Sequence, residues 1–250
     1  MTTCDRSLDR DCGHHVYKVN ASGPCDSSYS AQLGRRIVRG PRASVAYGGG
    51  VTERVAGILL AAGSGSRLGQ PKALVELGGE TLAQRGVAML QAGGADPVLI
   101  VTGAVPVTIP EALAVHNPDW STGMGSSLAT GLRALAETDA GAAVVALADQ
   151  PLVGAEAVRR LIAAYRDGAS VAVAAYDGTP RNPVLIAREY WPVVLTMATG
   201  DTGARPFLRA YAELVTQVEC GDTGSPDDVD TAEDLARVRE VATVRSEEKS

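Results

Sequence analysis

The sequence predicts an α/β protein: a three-layer αβα sandwich around a mostly parallel sheet. Three observations carry this. From Val55 onward, apolar runs alternate with amphipathic ones. The runs are apolar throughout, as expected of strands covered by helices on both faces. The 250 residues, 45% of them hydrophobic, suffice for one domain with a sizeable core.

The elements follow in order. Val55–Ala61 reads as the first strand and Leu82–Gln91 as a helix. Pro97–Val101 (PVLIV) is a second strand, Ala112–His116 a short third, and Gly125–Glu137 a helix. Ala142–Leu147 is a fully apolar strand, followed by a helix over Glu156–Tyr165. Ser170–Ala175 and Pro183–Ile186 read as strands, Ala204–Tyr211 as a short helix, Leu214–Glu219 as a strand and Thr231–Val241 as the closing helix. Aromatics are only 4% of the chain, so Ala, Val and Leu must build the core.

The formal net charge of −6 argues against nucleic acid as a partner. No apolar run approaches the ~18 residues of a membrane span, so no membrane partner is expected either. Residues 1–50 differ from the rest. They hold Cys4, Cys12, Cys25, His14 and His15 and show no periodicity. Their spacing is not that of a C-x-x-C zinc module, and no apolar signal-peptide core is present. They read as a disordered extension or as a start assigned too early, with Val51 after Gly48-Gly49-Gly50 as the alternative start. The domain is expected over 51–242, with 243–250 a flexible tail. Cys220 is the one Cys of that domain, which fits a reducing, cytoplasmic setting.

The loop after the first strand carries the chemistry. In Ile58–Leu74, ILLAAGSGSRLGQPKAL, the small residues Ala61 to Gly65 let a ligand approach backbone amides closely. Arg67 and Lys72 add two cations, and together these suggest a cradle for a nucleoside triphosphate. The alternative is a plain βα turn. A P-loop is excluded, because Ala73 rather than Ser or Thr follows the Lys. The dinucleotide fingerprint is excluded, because Gly63, Gly65 and Gly69 are spaced one residue too long.

Leu60–Lys72, LAAGSGSRLGQPK, resembles the L-A-A-G-x-G-x-R-M-G-x-x-K signature of nucleotidyltransferases with a Rossmann-like GT-A fold. It is most similar to the molybdenum cofactor cytidylyltransferase and guanylyltransferase group. The resemblance covers roughly residues 55 to 240, and Leu68 replaces the usual Met. It implies nucleotide binding by Leu60, Ala61, Ala62, Gly63, Arg67 and Lys72.

Ligands of such sheets bind at the carboxyl ends of the strands. There, Ala142–Leu147 is followed by Ala148-Asp149-Gln150-Pro151. Asp149 can hold Mg²⁺ on a triphosphate or cap the helix near Gly154; the family's L-x-D-x-P implies the metal. In Asp227-Asp228-Val229-Asp230-Thr231-Ala232-Glu233-Asp234, Asp230 is either an N-cap or, by resemblance, the second metal ligand. Mg²⁺ is the implied cofactor, with Mn²⁺ as the alternative. The segment Asn117–Leu128 (NPDWSTGMGSSL) resembles the family's nucleotide-site pattern, which brings in Asn117, Gly123 and Ser127, the last as a partner of base or ribose. Its alternative is a capped loop. On the acceptor side the family's G-x-x-G-H-P-V-L reads Gly178-Thr179-Pro180-Arg181-Asn182-Pro183-Val184-Leu185. Arg181 and Asn182 are departures that fit the phosphate or a carboxylate of an acceptor. Gly200–Arg205 matches G-D-x-G-A-R and adds Asp201 and Arg205 to the acceptor side.

The reaction implied is transfer of a nucleoside monophosphate, CMP favoured over GMP, from CTP or GTP to the phosphate of a molybdopterin-type acceptor. Arg67, Lys72 and Asp149 are its expected catalytic residues. A molybdoenzyme or its chaperone is a further implied partner. Two rivals stand beside it: an oxidoreductase acting on a pigment intermediate of nicotine breakdown, and a non-catalytic nucleotide-binding factor for molybdoenzyme maturation. Within residues 55 to 240 no Ser-His-Asp or Cys-His arrangement competes, since His116 is the only His there.

Overall fold

The computed structural model describes residues 54–247, and the apolar runs assemble there into a seven-stranded sheet. The reading of residues 1–50 lies outside the described residues. The strands are β1 (Val55–Leu60), β4 (Val98–Thr102), β5 (Leu113–His116), β6 (Ala142–Leu147), β7 (Val171–Tyr176), β8 (Thr179–Ala187) and β9 (Val215–Glu219). Their order is β5-β4-β1-β6-β8-β7-β9, and a separate hairpin pairs β2 (Glu76–Leu77) with β3 (Glu80–Thr81). All neighbours in the main sheet run parallel except β8, which is antiparallel to both β6 and β7. The β7–β8 connection is only Asp177-Gly178, both with positive φ (51° and 73°). A two-residue link of this kind permits only an antiparallel pair. β8 also begins four residues earlier than expected, and those four lie mostly exposed.

The helices are α1 (Leu82–Ala92), α2 (Met124–Ala136), α3 (Ala155–Arg166), α4 (Trp191–Met197), α5 (Arg205–Ala210) and α6 (Ala232–Glu247). Glycines seat them on the sheet. A Cβ on Gly86 of α1 would meet Leu59, and one on Gly131 of α2 would meet Ile58. Adjacent strand residues face opposite sides, so α1 and α2 cover opposite faces of β1. The α1 start is fixed by a capping box: Thr81 Oγ1 accepts from Gln84 N at 3.2 Å, and Gln84 Oε1 accepts from Thr81 N at 2.8 Å. The core is Ala-, Val- and Leu-rich, and the chain's single Phe, Phe207, is buried.

The sequence pattern misses α4, whose Trp191 is buried and donates Nε1–H to the Ile186 carbonyl at 3.0 Å. It also misses the β2–β3 hairpin turned by Gly78-Gly79. The closing helix runs to Glu247, through part of the stretch 243–250 expected as a tail. A second cluster joins distant pieces: Val75 and Leu77, Leu82 of α1, Leu152 after β6, Val229, and Leu235 and Val238 of α6, with Leu68 packed against it. No helix among the described residues is long and apolar enough to cross a membrane.

Gly93 follows α1 with an ordinary φ of −77°, yet its Cβ would lie 2.3 Å from Val158 Cβ on α3. Gly93→Ala is therefore expected to destabilise the fold by about 1–3 kcal/mol in urea unfolding, through overpacking alone. Val158→Ala removes Cγ1 but keeps the Cβ that lies 2.3 Å away, so in the same chain it should recover little of that loss; full recovery would show that α3 shifts to admit the extra methyl.

Candidate active site

The loop that leaves β1 keeps its amides available. The Ala61 N–H is committed to the Val101 carbonyl at 3.0 Å, whereas those of Ala62, Gly63 and Ser64 have no acceptor among the described residues. Leu60, Ala61 and Ala62 are buried, so they offer backbone rather than side chain, and Gly63 faces open space. Gly65 has φ +63°, and a Cβ there would lie 2.0 Å from the Gln70 carbonyl oxygen. The loop thus folds back on itself only with glycine at that position.

That fold-back delivers Lys72 to the carboxyl end of β6. Its Nζ donates to Asp149 Oδ2 at 2.8 Å and also bonds Asp230 Oδ1. Arg67 stands at 3.7 Å from Asp230 Oδ2 and is largely exposed. Burial pulls the Lys72 ammonium down, but the Asp149 and Asp230 carboxylates outweigh it and hold the group above its ordinary value. The second Asp149 oxygen, Oδ1, is buried and has no hydrogen-bond partner.

Asp230 is free for this contact because another residue caps α6. Asp234 Oδ2 accepts from the N–H groups of Asp230 and Thr231 and from the Thr231 hydroxyl, and Thr231 Oγ1 accepts from Asp234 N at 3.2 Å. Nor does Asp149 cap α3, whose N-cap Gly154 has no side-chain bond. The acidic segment is tied down by Val229, whose side chain is buried and whose N–H reaches the Asp149 carbonyl at 2.8 Å. Buried Gln150 adds two bonds, to the Pro226 carbonyl at 3.0 Å and to Asp228 Oδ1 at 2.9 Å. The Asp228 carboxyl is pushed up, by desolvation against the cleft wall and then by the Asp149 charge, although the residue as a whole is exposed.

Eight of the expected residues line one cleft of about 1210 Å³: Arg67, Lys72, Asp149, Asp230, Arg181, Asn182, Asp201 and Arg205. This exceeds the ~300–1,000 Å³ of a one-ligand pocket, leaving room for two substrates. Asn117, Gly123 and Ser127 do not line it. Asn117 and Ser127 are buried, and Asn117 Nδ2 donates to Ser127 Oγ at 3.0 Å and Ser126 Oγ at 2.8 Å. These side chains brace the loop onto α2, so in this conformation Ser127 does not present its hydroxyl to a base or ribose. Gly123 has a different use. With φ +113°, its missing Cβ leaves space for Gly200 and for Asp201 Oδ1, which would otherwise lie within 2.6 Å. The Asn117–Leu128 and Gly200–Arg205 segments are therefore packed against each other.

Sequence reasoning missed Gln150, Asp228 and Arg209, all of which line the cleft. Asp228 lay in view within the acidic run, and Arg209 stands one turn beyond Arg205. No group of three or more His, Cys, Asp or Glu among the described residues could hold a metal unaided. Asp149 and Asp230 nonetheless fit a divalent cation: both are hard oxygen donors at one point, and one oxygen is buried without a donor.

Residues 57–215 match the MobA-like NTP transferase domain. The chain is 39% identical over 198 residues to nicotine blue oxidoreductase of Paenarthrobacter nicotinovorans, covering 74% of this chain and 96% of that protein. It is 34% identical over 125 residues to a probable molybdenum cofactor guanylyltransferase of Opitutus terrae, covering 50% of this chain and 62% of that protein. Among solved structures, a homologue of Mycobacterium tuberculosis Rv0371c from Mycobacterium sp. strain JC1 superposes with a TM-score of 0.68 at 32% identity, covering 77% of this chain and 98% of that one. Rv0371c itself, in complex with manganese, superposes with a TM-score of 0.63 at 23% identity over 75% of this chain and 98% of that one.

Because its pKa is raised on folding, charged Lys72 adds stability that is full below its ordinary 10.5 and lost as pH rises through the higher folded value. In thermal melts the wild type should therefore exceed Lys72→Met at pH 8, and the gap should close as pH climbs past 10.5. A gap independent of pH would mean that Lys72 acts by packing, not charge.

Proposed function

The chain belongs to the MobA-like NTP transferase family and has its GT-A-like fold, and from that premise we propose that it moves a nucleoside monophosphate from a triphosphate to an acceptor phosphate. CMP is favoured over GMP, and the acceptor is a molybdopterin-type phosphate. The observation that carries this is the meeting of Lys72 with Asp149 and Asp230 beside a loop of uncommitted amides.

In this reading an acceptor phosphate oxygen attacks the α-phosphorus. The new P–O bond forms in line with the α–β bridging bond, which breaks, and pyrophosphate leaves with that electron pair. No general base is required, because the acceptor phosphate is already ionised. The Ala62–Ser64 amides donate to phosphate oxygens. Arg67 and Lys72 neutralise charge that grows on the leaving pyrophosphate. Asp149 and Asp230 would hold Mg²⁺ or Mn²⁺, which when bound draws negative charge from the phosphate oxygens. The guanylyltransferase-like relative supports the reaction class and the acceptor type. The preference for CTP rests on the cytidylyltransferase-like pattern N-P-D-W and G-M-G-S-S-L.

A second reading has its own support. The 39% identity spans nearly the whole of nicotine blue oxidoreductase, and Arg181-Asn182 stands where the transferases carry Gly-His. Pyrophosphate release from CTP with molybdopterin, against NAD(P)H oxidation by the pigment, separates the two.

Asp149→Ala is expected to lower pyrophosphate release by about 10²–10³-fold or more, with the circular dichroism spectrum unchanged. Wild-type turnover by that variant would sink the transfer reading. Lys72→Ala should chiefly raise KM for the triphosphate. Among CTP, GTP, ATP and UTP, each with Mg²⁺, CTP should give the largest rise in melting temperature.

A further inference from the structure

Lys72 stands on the same oxygens that a divalent cation would need. Its Nζ donates to Asp149 Oδ2 at 2.8 Å and also bonds Asp230 Oδ1. The buried oxygen, Asp149 Oδ1, belongs to the same carboxylate, so an ion there would lie beside the ammonium. Like charges that close repel, the more so because the lysine side chain is only 21% exposed.

The point also offers a cation little by itself. Two carboxylates and one ammonium leave a single net negative charge. Among the described residues no third His, Cys, Asp or Glu completes a metal-holding group with them. Mg²⁺ held by one or two carboxylates takes its other ligands from water and substrate phosphates. A triphosphate therefore supplies the oxygens that the ion lacks. It also supplies the counter-charge that the ammonium needs in order to leave.

Lys72 is suited to such an exchange. Its backbone is fixed: the Leu74 N–H bonds the Pro71 carbonyl and the Val75 N–H bonds the Lys72 carbonyl, each at 3.0 Å, and Ala73 is buried. The side chain is a flexible four-carbon stem that ends in a point charge. Nζ can thus change partner while the loop and the carboxylates keep their places. Arg67 is not placed for this part, since it is 77% exposed and stands 3.7 Å from Asp230.

Resting on the nucleotidyl-transfer reading and its two metal ligands, we propose that Lys72 is a placeholder cation. Before a triphosphate arrives, it occupies Asp149 and Asp230 and keeps a divalent ion off them. When a triphosphate enters, Lys72 passes to the phosphate oxygens and releases both carboxylates. The metal is thereby admitted with the nucleotide and not ahead of it. The substrate class is the metal–triphosphate complex, and binding of its two parts is coupled through one side chain.

The probe is Mn²⁺ alone, titrated against the full chain by electron paramagnetic resonance with no nucleotide present. Lys72→Met should tighten Mn²⁺ binding by about tenfold or more over the wild type. Lys72→Gln should gain likewise, which covers a failure of either variant to fold. Lys72→Arg keeps the charge and should bind as weakly as the wild type. Arg67→Gln removes one charge from the same acidic point and should shift the affinity by less than about twofold. Adding Asp149→Asn to Lys72→Met should abolish the gain. A lysine that only clamps the carboxylates in place would give the opposite sign, because its loss would loosen the metal site. Weaker or unchanged Mn²⁺ binding in both Lys72→Met and Lys72→Gln, or an equal gain in Arg67→Gln, would overturn the proposal. Pyrophosphate release on the same preparations tells the two readings apart. Transfer by the wild type with no gain in metal affinity on losing Lys72 retires the placeholder alone. A gain that needs Asp149, with no transfer from any triphosphate, retires the transfer reading and leaves the placeholder.

Discussion

The site depends on one cation held between two carboxylates that are far apart in sequence. Lys72 is 77 residues from Asp149 and 158 from Asp230. Two carboxylates brought together at a part-buried point repel each other and resist desolvation. Lys72, mostly shielded itself, makes their approach tolerable. The flanking Arg67 contact is of another order. Its side chain is 77% exposed, against 21% for Lys72. Exposed pairs are worth about 0–1 kcal/mol, whereas stripping one partner from a buried pair costs ~3–5 kcal/mol. The lysine contact therefore organises the site, and the exposed Arg67 pair adds little to it.

What brings the three groups together is apolar. Leu68 of the loop, Val75 and Leu77 of the hairpin, Leu152 beyond β6, Val229 and the first turns of α6 pack as one cluster. Val229 lies between Asp228 and Asp230, so burying it positions the carboxylates on either side. Polar bonds then set the direction: Val229 N–H to the Asp149 carbonyl, and Gln150 to Pro226 and Asp228. The C-terminal helix is in this way part of the site, although it donates no side chain beyond its own cap to it.

The other side of the cleft is organised by absent side chains. Gly123 and Gly125 let the start of α2 touch Ala198–Asp201 backbone to backbone. That contact couples the segment that resembles a nucleotide site to the segment that resembles an acceptor site. The cleft thus has Asp149, Asp230 and Lys72 near the ends of β1 and β6, and Asp201 with Arg205, Arg209 and Arg181 around α5 and the β8 arm. The lining holds five cations, Arg67, Lys72, Arg181, Arg205 and Arg209, against five carboxylates, so an anionic ligand would be met by individual cations and not by a net positive field.

Much of this was legible in the residues. The order of strands and helices follows from apolar periodicity, which is local, and the loop's small residues and two cations are adjacent in sequence. The place of Asp149 at the end of a buried strand was legible, but a cap for the next helix was an equal use by sequence, and only the fold shows that it does not cap α3. The direction of β8 was written in Asp177-Gly178 but hidden by the exposed residues before Val184. Other assignments needed the folded chain. Ser127 is polar and near a helix start, yet Gly125, Leu128 and Leu132 define the buried face of α2, and Ser127 shares it. Asp230 and Thr231 compete for the cap by sequence; Asp234 settles it by bonding Thr231, which frees Asp230 for Lys72. Arg209 carries no motif, and only the fold shows that it lines the same cleft as Lys72 and Asp149. Type and order are properties of neighbouring residues, whereas burial and pairing are properties of residues that meet only after the chain has closed.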